Sequence, residues 1–333
     1  MGLLGSTRRA EKLREFYGLE RTRKVIAADL LAHVTRDTVL QDKGLLRKEK
    51  NGRKGYSDPK QKSTKMEPSG IGFMMAKALA RAGAKQVYIL GRRQSALGKA
   101  MVAHSNIAPL PCEVTSKESL QSAVDVISKE TGFINLLIAN SGIYGPPKSF
   151  AANDSIQDLR KRLFEEVSME SFTETFHVNV TGAYFTLLAF LELLDAGNKK
   201  ALEGGYGAPA KLGSKVPTIQ SQVIITSSVS GFSRDKNSCP AYAGSKAAIT
   251  HLVKHASTNL AVHGIRVNAL APGIFPSEIA DIVINSRDVE NEPPGHPSFI
   301  PARRFGREEE MTGTILYLAS IAGSYCNGLI LNF

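Results

Sequence analysis

Four short runs of this chain, 86–90, 135–139, 222–226 and 266–271, each open on a polar residue and are otherwise mainly apolar. Strict alternation of apolar and polar residues would mark a strand with one wet face; runs without it predict strands covered on both sides. Between them lie stretches of helical periodicity. Residues 73–82 carry Met74, Met75, Ala78 and Leu79 at helical spacing and end at Gly83, and 116–130 opens with Ser116 as a capping residue followed by Ser119. Residues 172–194 and 242–263 read as long helices, and 107–110 as a weaker strand. Strands alternating with helices from Gly70 onward predict an α/β chain built on a doubly wound parallel sheet.

The second informative feature is chemical. Tyr242 and Lys246 stand four residues apart, which on a helix places phenol and ammonium on one face, and Ser228 lies fourteen residues earlier. A phenol titrates near about 10 and exchanges protons poorly at neutral pH unless its anion is favoured. A lysine cation beside it does that, while a hydroxyl at a strand end can hold a substrate oxygen. The pattern predicts proton transfer to or from a carbonyl or alcohol.

Several further motifs occur in order: Ser69-Gly70-Ile71-Gly72, Asn140-Ser141-Gly142, Asn179 within Phe176-His177-Val178-Asn179-Val180, Ser227-Ser228, the Tyr242–Lys246 pair and Pro272-Gly273. The run Arg303-Arg304-Phe305-Gly306-Arg307 then leads into a last helix. Together they resemble the short-chain dehydrogenase/reductase family over residues 69–328, with the flavour of 3-oxoacyl-carrier-protein reductases and tailoring reductases of secondary metabolism. The resemblance implies a Rossmann-like fold and an NAD(P)-dependent oxidoreductase interconverting a ketone and a secondary alcohol. It makes Tyr242 the general acid in reduction and Lys246 the group that lowers its pKa and binds the nicotinamide ribose. Ser228, preferred over Ser227, becomes the donor to the carbonyl oxygen, and Asn179 the anchor of a water linking the lysine to solvent.

The same resemblance assigns the cofactor site. Gly70, Ile71 and Gly72 would bring helix amides to a pyrophosphate. Asn140 and Gly142 would hold a strand end beside the adenosine, and Glu113-Val114 stands where the family carries an aspartate. Pro272, Gly273, Phe275 and Ser277 would close on the nicotinamide amide. Arg92 and Arg93 follow the second strand where an acidic residue would select NAD, so NADP(H) is favoured.

Both ends depart from the family's pattern. Its glycine loop opens with Thr-Gly after an apolar strand; here Lys65 and Met66 stand in those places, and residues 55–64 are polar with Pro59 among them. That stretch cannot be a buried strand. In the family's strand order, 3-2-1-4-5-6-7, the lost strand is the middle one, and two rows of unpaired backbone groups would cost about 1–3 kcal/mol each if buried. The one apolar run upstream, 24–34, could substitute, although its Ala and Leu content suits a helix better. After Asn327-Gly328 the chain stops five residues on, which reads as a shortened C-terminus. Altered splicing is one source of such ends, and the alternative to an active enzyme is a reductase-like protein with a defective cofactor site, acting only as an interaction partner.

Charge divides the chain at the same place. Residues 1–65 hold 17 Lys+Arg against 8 Asp+Glu, the remainder 25 against 23, so the net charge of +11 belongs mainly to a solvated leader. Few aromatics interleave those charges, and nucleic-acid binding is not expected. Residues 66–333 read as the reductase domain, with 195–217, rich in Gly, Lys, Ala and Pro, as a surface insertion and 150–167 as extra material after the Asn140 motif. No run approaches the roughly 18 apolar residues of a membrane span. Cys112, Cys239 and Cys326 are widely spaced and read as reduced thiols of a cytoplasmic protein. His251 and His255 lack a third ligand, so no metal is expected. The expected partners are a small carbonyl or alcohol substrate and further copies of the chain, in a homodimer or homotetramer.

Overall fold

A computed structural model of the chain describes residues 70–92, 104–148, 150, 153–235, 237–296 and 298–333. The basic leader, the apolar run 24–34, Lys65, Met66 and Arg93 lie outside the described residues. The chain alternates as expected through α1 (Ile71–Arg81), β1 (Val87–Gly91), β2 (Ile107–Pro111), α2 (Lys117–Glu130) and β3 (Leu136–Ala139). After β3 come α3 (Ile156–Arg160), α4 (Met169–Phe176), α5 (Ala183–Ala189), α6 (Leu191–Leu202), β4 (Gln222–Thr226), α7 (Pro240–Leu260) and β5 (Arg266–Ala271). The chain finishes with α8 (Asp281–Ser286), α9 (Glu308–Ala319) and β6 (Ile330–Asn332). Every strand pairing is parallel.

β4 and β5 are buried at every residue, including the polar Gln222, Arg266 and Asn268, whose side chains are hydrogen-bonded. Successive side chains still point to opposite faces. Val223 and Ile225 of β4 and Val267 and Ala269 of β5 pack against Leu120 and Ile127 of α2, Leu187 of α5 and Ile249 and Val253 of α7. Ile224 and Leu270 face the other way, onto Met74, Met75 and Ala78 of α1 and Met311, Ile315 and Leu318 of α9. Each such fully buried aliphatic side chain contributes about 1.5–3 kcal/mol. Ser116 caps α2 by accepting from the Ser119 amide, as its sequence predicts.

The strands form two sheets, β1-β2 and β3-β4-β5-β6. Among the described residues no strand lies between β1 and β3, the place where the sequence lacks an apolar run before Gly70. The consequence is visible in exposure: β1, apolar from Val87 to Leu90, is only half-buried at every position.

Two expectations are corrected. The helix expected over 172–194 is interrupted by a π-helical turn, His177–Gly182, and ends at Phe190, where the chain bends by 45° into α6. The Phe190 ring is buried in the core, and its backbone leaves the helical region to put it there. The insertion expected over 195–217 is helical as far as Leu202, because small residues let α6 lie against the sheet. Ala201 is buried, and Asn198 accepts from the Ser221 amide (2.7 Å) and donates to the Gly264 carbonyl (2.9 Å). The last residues supply β6 alongside β5, and Phe333 O accepts from the Gly273 amide at 2.7 Å. No single helix among the described residues is long and apolar enough to cross a membrane.

Candidate active site

The C-terminal ends of β3, β4 and β5 and the start of α7 meet at one cavity, whose lining includes Ser228, Tyr242, Lys246, Asn140, Gly142 and Gly72. α7 begins with Pro240 at its first turn, a residue whose fixed φ suits that place, and this sets Tyr242 and Lys246 on the same flank. Lys246 is 3% exposed, and its Nζ donates to the Thr226 carbonyl at 2.8 Å and lies 5.6 Å from the Tyr242 ring centroid. Burial pulls the ammonium down to about 8. Burial also pushes the Tyr242 phenol above its ordinary value, with a hydrogen bond to Ser228 pulling the other way. Desolvation is the largest influence on the Tyr242 phenol in this structure, and the Lys246 ammonium donates to a backbone carbonyl.

The two serines separate by partner. Ser227 Oγ is consumed by the Lys246 carbonyl (3.0 Å) and Thr250 (2.7 Å), a tie between β4 and α7. Ser228 Oγ accepts from the Ser230 amide at 3.1 Å and lines the same cavity as the Tyr242 phenol. Asn179, on the π-helical turn, donates to the Ile143 carbonyl and Ser245 Oγ (both 2.9 Å) and accepts from the Ile143 amide (2.8 Å). It clamps the loop after β3 against α7, and Gly142 lies beside its carboxamide and the Lys246 ammonium.

At the other end, Gly70 caps α1 with φ of 109° and no side-chain hydrogen bond, leaving the first amides of an eleven-residue helix without a side-chain cap. A Cβ at Gly72 would stand 2.6 Å from Asn140 Nδ2, so glycine is needed for that close approach. Asn140 Oδ1 accepts from Thr226 Oγ1 at 3.0 Å, and Ser277 lies across from Gly70. These observations fit a dinucleotide: a bare helix N-terminus that a larger residue would block, opening into the cavity that holds Tyr242 and Lys246.

Other expected contacts are redirected. Glu113 accepts from Thr115 Oγ1 (2.9 Å) and the Thr115 amide (3.2 Å) and pairs with Arg92 at 3.2 Å. Although partial burial pushes its pKa up, these partners hold the carboxyl below the ordinary value. Arg92 is therefore engaged with Glu113, while Val114 packs on Gly182. Phe275 is 3% exposed, with its ring in the core against Gly306 and edge-on to Phe333 (5.5 Å), so the side chain packs where a cofactor contact was expected. Pro272 O accepts from the Val229 amide at 3.1 Å, fixing the loop after β5 against the Ser228 turn.

Two participants escaped sequence reasoning. Tyr144 places its ring 5.1 Å from that of Tyr242. The Thr226 carbonyl fixes Lys246, and a backbone acceptor carries no sequence signal.

The family model described as short chain dehydrogenase matches residues 67–202, and that described as enoyl-(acyl carrier protein) reductase matches 205–333. The chain is 60% identical over 258 residues to the short-chain dehydrogenase/reductase SAT3 of Stachybotrys chartarum, covering 77% of this chain and 95% of that one. A structure of Pseudomonas aeruginosa RhlG in an NADP active-site complex superposes with a TM-score of 0.61 at 23% identity, covering 80% and 91% of the two chains. A 7α-hydroxysteroid dehydrogenase complexed with NADH and 7-oxo glycochenodeoxycholic acid superposes with a TM-score of 0.62 at 23% identity, covering 80% and 89%. At that identity the two structures speak to fold.

Proposed function

The chain belongs to the short-chain dehydrogenase/reductase family, and from that premise we propose that it is an NADP(H)-dependent oxidoreductase interconverting a ketone and a secondary alcohol, with Tyr242 as general acid and base. The observation that carries this reading is the meeting of Ser228, Tyr242 and Lys246 at one cavity with the uncapped start of α1. A bound nicotinamide supplies or accepts the hydride. Ser228 donates to the substrate oxygen, polarising its carbonyl. Tyr242 gives that oxygen its proton in reduction and takes it back in oxidation. Lys246, cationic below about 8, stabilises the phenolate left behind.

NADP(H) is preferred because the end of β1 presents Arg92 and no carboxylate. In this reading the Arg92 guanidinium, 67% exposed, exchanges Glu113 for the extra phosphate. The tailoring chemistry of secondary metabolism is the setting favoured by resemblance to SAT3. We place the protein in the cytoplasm, where Cys112, Cys239 and Cys326 stay free thiols, and pair its copies through α4 and α7.

Fluorescence titration of NADPH and NADH against the purified full chain tests the cofactor assignment. Saturable binding, tighter for NADPH by about tenfold and weakened by Arg92→Glu, is expected, on the scale of one lost charge-assisted contact. Equal affinity for both nucleotides would contradict the NADP(H) preference.

A further inference from the structure

The loop after β3 is fixed more firmly than a surface turn requires. On one side of Tyr144, Ile143 is held by Asn179 at both backbone groups, its amide donating at 2.8 Å and its carbonyl accepting at 2.9 Å. On the other side Gly145 has φ of 82°, and a Cβ there would stand 2.3 Å from Thr175 Oγ1 of α4. Pro146 O then accepts from Cys239 Sγ at 3.0 Å, tying the loop to the residue that precedes α7. The π-helical turn, α4 and the start of α7 thus hold the neighbours of Tyr144 in place.

What this rigidity positions is a ring. The Tyr144 ring lies 5.1 Å from that of Tyr242 at an interplanar angle of 35°, inside the range of separations over which aromatic rings attract. Both residues line the active-site cavity. Tyr242 has the Lys246 ammonium beside it, which favours a phenolate. Tyr144 has the opposite surroundings: burial above all pushes its phenol up from the ordinary value, and the Asp235 carboxylate acts in the same direction. Tyr144 brings a neutral aromatic surface to the site, and no second acid.

Its place along the cavity decides what meets that surface. The nucleotide end is built at Gly70, Gly72 and Asn140, and Gly142 lies beside Lys246. Tyr144 stands beyond Gly142, toward Asp235, whose carboxylate accepts from Ser298 Oγ in the segment between α8 and α9. Val229, next to Ser228, and Phe299, next to Ser298, also line the cavity. A substrate whose oxygen reaches Ser228 and Tyr242 therefore sets the groups flanking its carbonyl against the Tyr144 ring.

Resting on the reading of Tyr242 as general acid, we propose that Tyr144 determines specificity, and that the substrates are ketones with an aromatic ring close to the carbonyl. An aromatic face meets Tyr144 as one aromatic side chain meets another, and a saturated ring of the same size forgoes that contribution.

The test compares kcat/KM for 2-tetralone and 2-decalone, bicyclic ketones of one carbon skeleton, with NADPH as reductant and the full chain as enzyme. Tyr144→Leu should lower the ratio of tetralone to decalone by about threefold to tenfold, the scale of one lost aromatic pair. Tyr144→Met should do the same, and thermal melts on both keep a single misfolded variant from deciding the result. Tyr144→Phe should keep the wild-type ratio, whatever happens to the absolute rates. Equal losses on the two ketones would overturn the inference and leave Tyr144 a packing residue. A ratio that falls as far in Tyr144→Phe would overturn it too, since the hydroxyl and not the ring would then discriminate. Titration calorimetry with the same ketones separates this inference from the reductase reading. A wild type that binds both and reduces neither contradicts that reading, and the ratio of affinities across the three variants then decides the role of Tyr144 by the same criteria. No binding of 2-tetralone by a folded wild type would overturn the inference outright.

Discussion

Ser227 and Ser228 are adjacent and chemically identical, yet the fold gives them different work. Ser227 spends its hydroxyl on Lys246 O and Thr250, and Ser228 keeps its own on the cavity side with Tyr242. Ser228→Ala should therefore lower kcat by about 100-fold to 1000-fold with little change in melting temperature, the usual result of deleting one donor to a developing oxyanion. Ser227→Ala should do the reverse, costing about 1–3 kcal/mol of stability while sparing kcat. Steady-state kinetics and thermal melts on both variants decide it. Lys246 offers a pH test. Its folded pKa of about 8 lies below the usual 10.5, so between those values the unfolded chain binds more protons and stability rises with pH. Urea melts should show the wild type gaining on Lys246→Met between pH 8 and 10.5, by up to about 3 kcal/mol at the upper end. A flat difference would mean that the ammonium is not desolvated.

At the scale of elements, α6 holds the edge of the core through one polar side chain. Asn198→Ala leaves the Ser221 amide and the Gly264 carbonyl without that partner and should cost about 1–3 kcal/mol in a denaturant melt, with NADPH affinity unchanged. How legible each element was follows from what hides it. β4 and β5 were read to the residue because each is mainly apolar, although Arg266 and Asn268 of β5 are polar and buried. The π-helical turn at His177–Gly182 and the bend at Phe190 were not, since apolar periodicity continues through both. The part of α6 from Asp195 onward reads as a loop because Gly197, Asn198 and the lysines after it look like surface, although the glycine and asparagine are buried. The chemical residues were legible because Tyr242 and Lys246 carry their spacing within one helix. The Arg92–Glu113 pair was not, because it depends on a register, Gly91 opposite Pro111, that no local pattern encodes.

At the scale of the whole molecule, the absent apolar run before Gly70 and the division between β1 and β3 are one fact seen twice. A sheet opened at its centre leaves β1 half-exposed and extends the cofactor cavity between the two sheets. The active end is built on the intact side: β3, β4, β5 and α7 place Ser228, Tyr242 and Lys246 without help from β1 or β2. The nucleotide end spans the opening, since the start of α1 meets Asn140 while Arg92 stands at the end of β1. Catalysis therefore requires that both halves act as one. The most direct measurement is NADPH-dependent reduction of a panel of ketones by the wild type and by Tyr242→Phe, with NADPH binding followed in both. Saturable NADPH binding by both, with carbonyl turnover falling by about 100-fold or more in the phenylalanine variant, is the expected result for loss of a general acid. Undiminished turnover without the phenol, or no NADPH binding by a folded wild type, would contradict the account.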